Sequence, residues 1–82
     1  MPVQILYFAS VREAMGRESE MVDLPATIVT LGDLADWLVT RGDTIFAGRD
    51  KLRGAIDQSM ARFDAPITGA SEIAFFPPVT GG

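Results

Sequence analysis

The chain has 82 residues, enough for one small domain, and its 48% hydrophobic and 22% charged residues are typical of globular sequences rather than disordered ones. The net charge of −4 argues against a nucleic-acid partner, because nucleic acids bind basic surfaces. Cysteine and histidine are absent, which excludes disulfides, thiolate metal sites and Ser-His-Asp or Cys-His catalysis within the chain. We therefore expect no bound metal and no self-sufficient enzyme.

Neither a membrane span nor a secretory signal is visible in the sequence. No apolar run approaches the roughly 18 residues of a spanning helix, and the N-terminus lacks a basic segment followed by an apolar one. We expect a cytoplasmic protein with no membrane partner.

The N-terminal third predicts two strands with a short helix between them. Residues 3–8 are apolar on both alternating faces, which is typical of a central strand. The run Ser-Val-Arg-Glu at residues 10–13 matches a capping box, and it predicts a short helix that ends at Gly16. A polar turn over residues 17–20 then leads to a second strand at residues 21–24.

The main helix is predicted to begin after Thr30. Thr30 is a suitable N-cap, Asp33 complements the helix dipole, and Gly42 is expected to end the helix. One apolar stripe with helical spacing faces the core, formed by Leu31, Leu34, Ala35 and Leu38.

Three further strands follow residues 44–50, for which we expect a loop, either without regular structure or with one helical turn around Ile45-Phe46. Residues 52–56 and 59–63 are joined by a tight turn at Asp57-Gln58, and the last strand covers residues 73–76. The order strand, helix, strand, helix and three strands predicts an α+β domain, with a mixed sheet and one main helix packed across it.

An uncharged tail is predicted to follow the last strand. Pro77 and Pro78 cannot donate to a sheet ladder and favour an extended backbone, so residues 1–76 form the domain and residues 77–82 the tail. Six extended residues reach about 20 Å. Gly81 and Gly82 lack a Cβ, so the end can enter a passage too narrow for other residues.

The run from Phe75 to Gly82, Phe-Phe-Pro-Pro-Val-Thr-Gly-Gly, resembles the C-terminus of the molybdopterin synthase small-subunit (MoaD) family of ubiquitin-like sulfur carriers. The resemblance extends along the chain and includes Tyr-Phe-Ala at residues 7–9 and Val-Arg-Glu at residues 11–13. It implies a ubiquitin-like β-grasp fold, in which the first and last strands are parallel neighbours in the middle of the sheet.

The resemblance also implies a function for the tail, which consists of Pro77, Pro78, Val79, Thr80, Gly81 and Gly82. The carboxylate of Gly82 would be adenylated, converted to a thiocarboxylate, and used as the sulfur donor that turns cyclic pyranopterin monophosphate into the molybdopterin dithiolene. The chain would then be a non-catalytic, sulfur-donating subunit of a transferase complex.

The same resemblance implies the partners. They are the large subunit of molybdopterin synthase in a heterotetramer, an adenylyltransferase of the ubiquitin-activating type, and a sulfurtransferase as the sulfur source. The nucleotide-binding site would lie on the activating partner, which would bind and use ATP. This chain itself would bind no cofactor. The alternatives are a sulfur carrier for thiamine or cysteine synthesis, a ubiquitin-like protein modifier, and an interaction module with an inert tail.

The sheet is predicted to have an inner and an outer face. Facing the long helix we expect Val3, Ile5, Tyr7, Ile73 and Phe75; facing outward we expect Leu6, Phe8, Ala74 and Phe76. With Met60, two of the outward residues, Phe8 and Phe76, would form a partner interface near the tail. The alternatives are a covering loop or the opposite assignment of faces.

A basic cluster is predicted just before the third strand. It consists of Arg49, Lys51 and Arg53, and such a cluster is either solvated or used to dock an acidic patch beside the tail.

Overall fold

The computed structural model describes residues 2–78, so four residues of the predicted tail (Val79, Thr80, Gly81 and Gly82) lie outside the described residues. The elements are β1 (Pro2–Tyr7), α1 (Ala9–Met15), β2 (Ser19–Asp23), α2 (Leu31–Thr40), two 3-10 helices (Thr44–Ala47 and Arg49–Lys51), β3 (Arg53–Ile56), β4 (Ser59–Ala61) and β5 (Glu72–Phe76). Within this part of the chain, no helix is long and apolar enough to cross a membrane.

All five strands form one sheet in the order β2-β1-β5-β3-β4. The two central strands, β1 and β5, run parallel, and every other neighbouring pair is antiparallel. Helix α2 covers one face, and the core lies between them. This arrangement is a β-grasp and confirms the predicted fold, including the parallel pairing of the first and last strands.

The two faces of the central strands have the predicted environments. Every residue expected to face the helix is buried: Val3, Ile5, Tyr7, Ile73 and Phe75. They join the predicted stripe of α2, which is fully buried at Leu31, Leu34, Ala35 and Leu38. The opposite assignment of faces is therefore excluded.

The start of α2 is fixed by a capping box, as predicted. Thr30 Oγ1 accepts a hydrogen bond from the Asp33 N–H at 3.0 Å, and Asp33 Oδ2 accepts one from the Thr30 N–H at 3.1 Å. Hydrogen bonds from the backbone N–H groups of Val29 and Thr30 lower the pKa of Asp33. The helix ends at Thr40, and Gly42 lies just beyond it in a left-handed conformation (φ 113°).

The predicted start of α1 is wrong. The helix begins at Ala9 with Phe8 as its N-cap, so Ser10 lies inside the first turn and no side chain caps the helix. The strand β1 runs almost directly into the helix, and the Phe8 carbonyl accepts the N–H groups of Val11 and Arg12 at 3.1 and 3.3 Å. The predicted stop at Gly16 is confirmed by its left-handed φ of 73°.

Two strand boundaries also differ from the prediction by two residues, and several others differ by one. The strand β2 begins at Ser19, within the predicted polar turn, because Ser19 and Glu20 pair with Leu6 and Ile5 of β1. The strand β4 ends at Ala61 rather than residue 63. Polar side chains at a sheet edge are compatible with pairing, which a hydrophobic pattern does not reveal.

The segment predicted as a loop contributes the centre of an aromatic cluster. Phe46, in the first 3-10 helix, is fully buried, with ring centroids 4.8 Å from Phe75 and 6.1 Å from Tyr7. Helix α2 packs closely on the sheet at Gly54, where an added Cβ would lie 2.6 Å from Leu31 Cδ2 and would force the Leu31 side chain to shift.

A polar network joins the C-terminal end of α2 to the sheet. The Tyr7 hydroxyl donates to Glu20 Oε2 at 2.6 Å, and the Arg41 guanidinium donates to both oxygens of Glu20 at 3.0 and 2.7 Å. Arg41 also donates to Asp43 and lies 5.5 Å from the Trp37 ring centroid. The Arg41 hydrogen bonds lower the pKa of Glu20, whereas burial raises the pKa of Tyr7.

Candidate functional site: the outer sheet face and the start of the tail

The tail leaves the domain at the end of a central strand. The last paired residue of β5 is Phe76, opposite Arg53 in β3, and Pro77 and Pro78 lie outside any strand. The prediction that the proline pair ends the ladder is confirmed, since neither proline has an N–H to donate. The beginning of the tail is thus fixed by two neighbouring strands, β1 and β3.

An apolar surface lies next to this exit. We call Phe8, Met60 and Phe76 the outer patch; all three line one shallow cavity of about 370 Å³ on the face of the sheet opposite α2. Phe8 and Met60 are 46% and 69% exposed, and Phe76 is partly buried. Among the residues that the structure describes, no loop buries the patch, so the predicted exposed surface is present in this part of the chain. Its use as an interface remains a prediction.

Strand register explains why the three residues meet. Tyr7 of β1 pairs with Phe75 of β5, so Phe8 and Phe76 follow at the same end of parallel strands. On the other side of β5, Ala74 pairs with Ala55, which pairs with Met60. Small alanines at the centre of the face leave the surrounding larger side chains accessible, which gives a shallow apolar basin.

Sequence reasoning missed two polar members of the same basin. Gln58 and Glu72 line it together with Leu6, Ala55 and Ala74. Glu72 could have been placed there by parity, because it lies two residues before Ala74 in the same strand. Gln58 could not, because its position depends on a turn in which both Asp57 and Gln58 have positive φ.

The predicted basic cluster is divided in two by the fold. Arg49 turns toward α2, where its guanidinium donates to the Gly32 carbonyl at 2.8 Å and to the Asp36 carboxylate. It also lies 5.5 Å from the Phe63 ring centroid. Lys51 and Arg53 are exposed near the tail exit. Arg49 is therefore a structural residue and not part of a docking cluster.

The ionisable groups of the interior serve the fold. The network of Tyr7, Glu20 and Arg41 lies on the helix side of the sheet, away from the outer patch. Across residues 2–78, no group of three or more His, Cys, Asp or Glu side chains is arranged to hold a metal ion. The chemistry that this surface supports is docking of a partner beside the start of the tail.

Comparison with known proteins assigns the family. The sequence profile described as the ThiS family matches residues 5–82. The molybdopterin synthase sulfur carrier subunits of Escherichia coli (strain K12) and Haemophilus influenzae are 35% and 33% identical to this chain, and each alignment covers 98% of this chain and 99% of the relative.

Solved structures share the fold over the full chain. SAMP1 from Haloferax volcanii is similar with a TM-score of 0.74 and 25% identity, covering 100% of both chains. A subunit in the complex of subunits 1 and 2 of the molybdopterin-converting factor from Helicobacter pylori is similar with a TM-score of 0.64 and 18% identity, again covering 100% of both chains. The chain belongs to the ThiS family, and its curated relatives in that family are molybdopterin synthase sulfur carrier subunits.

Proposed function

We propose that this chain is the sulfur carrier subunit of molybdopterin synthase and that its reactive group is the C-terminal carboxylate of Gly82. The observation that carries the proposal is the near end-to-end similarity to curated carrier subunits, which includes the tail. The structure supports it by fixing the start of that tail at the end of β5, beside an exposed apolar patch.

The proposed chemistry needs a main-chain acyl group and no side chain of this protein. A free carboxylate is a poor electrophile, so an adenylyltransferase of the ubiquitin-activating type would join it to the AMP moiety of ATP and release pyrophosphate. A persulfide donor, loaded by a sulfurtransferase, would then displace AMP to give an acyl disulfide, and attack of a thiol on its S–S bond would release a thiocarboxylate on Gly82 and leave the donor as a disulfide. That sulfur is a soft nucleophile suited to attack on a pterin precursor. The chain itself would bind no cofactor.

The proposed acceptor site belongs to the large subunit. The Helicobacter pylori similarity is to a chain solved in complex with the second subunit of the converting factor, which favours a partner of this kind. Phe76 directly precedes the tail and shares a basin with Phe8 and Met60, so a partner that receives Gly82 would cover the outer patch. A dithiolene needs two sulfurs, which is consistent with two carriers in a heterotetramer.

Reconstitution with a molybdopterin synthase large subunit tests the proposal. Deleting Gly82, or adding one residue after it, should abolish molybdopterin formation because the acyl group is missing or displaced. The thermal midpoint should be nearly unchanged, since Gly82 lies six residues beyond the last strand. A Gly82 deletion that still forms molybdopterin would contradict the proposal.

The same experiment separates the other sulfur-transfer and modifier functions. A carrier for thiamine or cysteine synthesis would acquire the thiocarboxylate but would not yield molybdopterin with the large subunit. A protein modifier would instead be recovered joined to lysines of other proteins through an isopeptide bond.

A further inference from the structure

The outer patch has a different charge at each of its two ends. Arg53 and Phe76 are cross-strand partners, so their side chains lie on the same face, at the end where the tail leaves. Glu72 lies on that face four residues earlier in β5 and lines the same basin as the patch. At about 3.3 Å per residue, the two ends are roughly 13 Å apart along the strand.

Within residues 2–78, Arg53 differs from most cations in forming no ion pair. Four of the seven basic side chains form ion pairs there: Arg17, Arg41, Arg49 and Arg62. The Arg53 side chain is exposed and donates to its neighbouring carbonyl, that of Leu52, at 2.8 Å.

Within residues 2–78, two other cations, Arg12 and Lys51, form no ion pair. Arg12 lies one helical turn after Phe8, and Lys51 is two residues before Arg53 in the chain. Arg62 and Asp64 line a cavity together with Arg53 and pair with each other at 3.7 Å, so a net positive charge remains at this cavity, whereas the chain as a whole carries −4.

The opposite end of the patch is acidic. Within residues 2–78, the Glu72 carboxylate takes part in no ion pair, although its backbone N–H donates to Asp57 Oδ1 at 3.0 Å. That hydrogen bond, together with pairing to Gln4 in β1, holds the backbone of Glu72 in place at the rim of the basin. The Glu72 carboxylate at one end and the exposed Arg53 guanidinium at the other form a charge dipole across an apolar surface.

We propose that this dipole sets the direction in which the sheet face docks on the protein that receives the tail. Arg53 would face a carboxylate beside the partner's tail entrance, and Glu72 would face a basic side chain on the far side of the same interface. This inference rests on the proposed function, because it requires a partner that accepts Gly82.

The physical reason is that apolar contact alone does not fix an orientation. Burial of Phe8, Met60 and Phe76 is nearly indifferent to rotation of the partner about the face, since the hydrophobic effect is not directional. A rotated complex would bury the same area while its tail pointed away from the entrance. Charges at the rim discriminate between these orientations and accelerate productive encounter, while they add little affinity.

Charge reversal tests the inference on the full chain with the molybdopterin synthase large subunit. Arg53→Glu should slow association about tenfold at roughly 50 mM salt, with most of the difference lost at about 500 mM salt, where screening is strong. Glu72→Lys should also slow association. Arg53→Lys should retain most of the wild-type rate because it keeps the charge.

Substitutions outside the basin with the same change of net charge provide the controls. Arg17→Glu matches Arg53→Glu, and Glu18→Lys matches Glu72→Lys; both control residues are exposed, lie between α1 and β2, and do not line the basin. Arg17→Glu also removes the ion pair with Glu20, so its thermal midpoint is measured as well. Circular dichroism should show that all variants fold. The inference would be overturned if Arg53→Glu and Glu72→Lys associated with the large subunit at the same rates as their respective controls. It would also be overturned if Glu72→Lys associated faster than the wild type.

The outcomes for this inference and for the proposed function are distinct. If the wild-type chain fails to bind the large subunit, the proposed function is contradicted. If the wild-type chain binds and makes molybdopterin while Arg53→Glu associates like Arg17→Glu, only the orienting role of the charges is wrong.

Discussion

Phe75 and Phe76 are consecutive residues with opposite environments. Phe75 is fully buried and its ring centroid lies 4.8 Å from that of Phe46, whereas Phe76 lines the basin on the outer face. Alternation along β5 places one side chain in the core and the next on the surface. The same substitution at the two positions should therefore affect different properties of the protein.

Alanine at the two positions separates folding from docking. Phe75→Ala should lower the free energy of unfolding by about 3–5 kcal/mol, because it leaves a cavity in the core. Phe76→Ala should change stability little but weaken binding of the large subunit by about 2 kcal/mol or more, roughly 30-fold. Denaturation and titration against the partner measure both quantities; the reverse pattern would contradict the assigned faces.

At the residue scale, the sequence predicts which side chains are buried better than it predicts which side chains form hydrogen bonds or ion pairs with each other. Period-two alternation identified both faces of the central strands, because each face is determined by the pleat. The role of Arg49 could not be foreseen. Its contacts with Gly32, Asp36 and Phe63 join segments far apart in the chain, and no local pattern encodes which acid an arginine reaches.

Among the elements, α2 is fixed at both ends by side-chain chemistry. The capping box of Thr30 and Asp33 holds its start, and the Arg41 guanidinium just after its end binds Glu20 of the edge strand β2. Glu20 also accepts from the Tyr7 hydroxyl, so one carboxylate links three elements. This network should contribute to stability in a pH-dependent way.

Glu20→Gln tests the network through its pH dependence. The folded-state pKa of Glu20 is lowered, first of all by Arg41, so its contribution should be fully present above the unfolded value of 4.5 and lost as the pH falls through the folded value. At pH 7 we expect Glu20→Gln to lower the free energy of unfolding by about 1–3 kcal/mol, and this loss should become smaller in acid. Glu18→Gln, at an exposed neighbouring position, is the control. Urea unfolding measures the difference in free energy of unfolding between the wild type and Glu20→Gln at each pH. A difference that stays constant from neutral to acidic pH would contradict this account.

The two predicted helix starts show what a motif can and cannot determine. Thr30-x-x-Asp33 is a capping box in the structure, whereas the similar run at residues 10–13 lies within α1. The difference arises from the preceding strand. Pairing of β1 with β5 continues to Tyr7 and turns the chain at Phe8, so the helix begins before Ser10. Tertiary pairing thus overrides a local signal.

At the scale of the whole molecule, the fold and the reactive group are separate. The order of predicted elements was sufficient for an α+β sheet with one helix across it, and family resemblance added the parallel centre. The described residues present an apolar face with charged ends, and the proposed chemistry belongs to a terminus beyond the last strand. On this proposal, a chain without cysteine or histidine can carry sulfur because the chemistry needs no side chain.

Intact mass spectrometry tests the central claim most directly. The chain is incubated with an adenylyltransferase of the ubiquitin-activating type, ATP, a sulfurtransferase with its sulfur substrate and a thiol reductant, and its mass is compared with that of the Gly82 deletion. We expect the intact chain to gain the mass of one sulfur-for-oxygen exchange, located in the peptide that cleavage after Arg62 releases, residues 63–82. The deletion variant should not change. An unchanged mass of the intact chain, or a sulfur found outside that peptide, would contradict the assignment of Gly82 as the sulfur-carrying group.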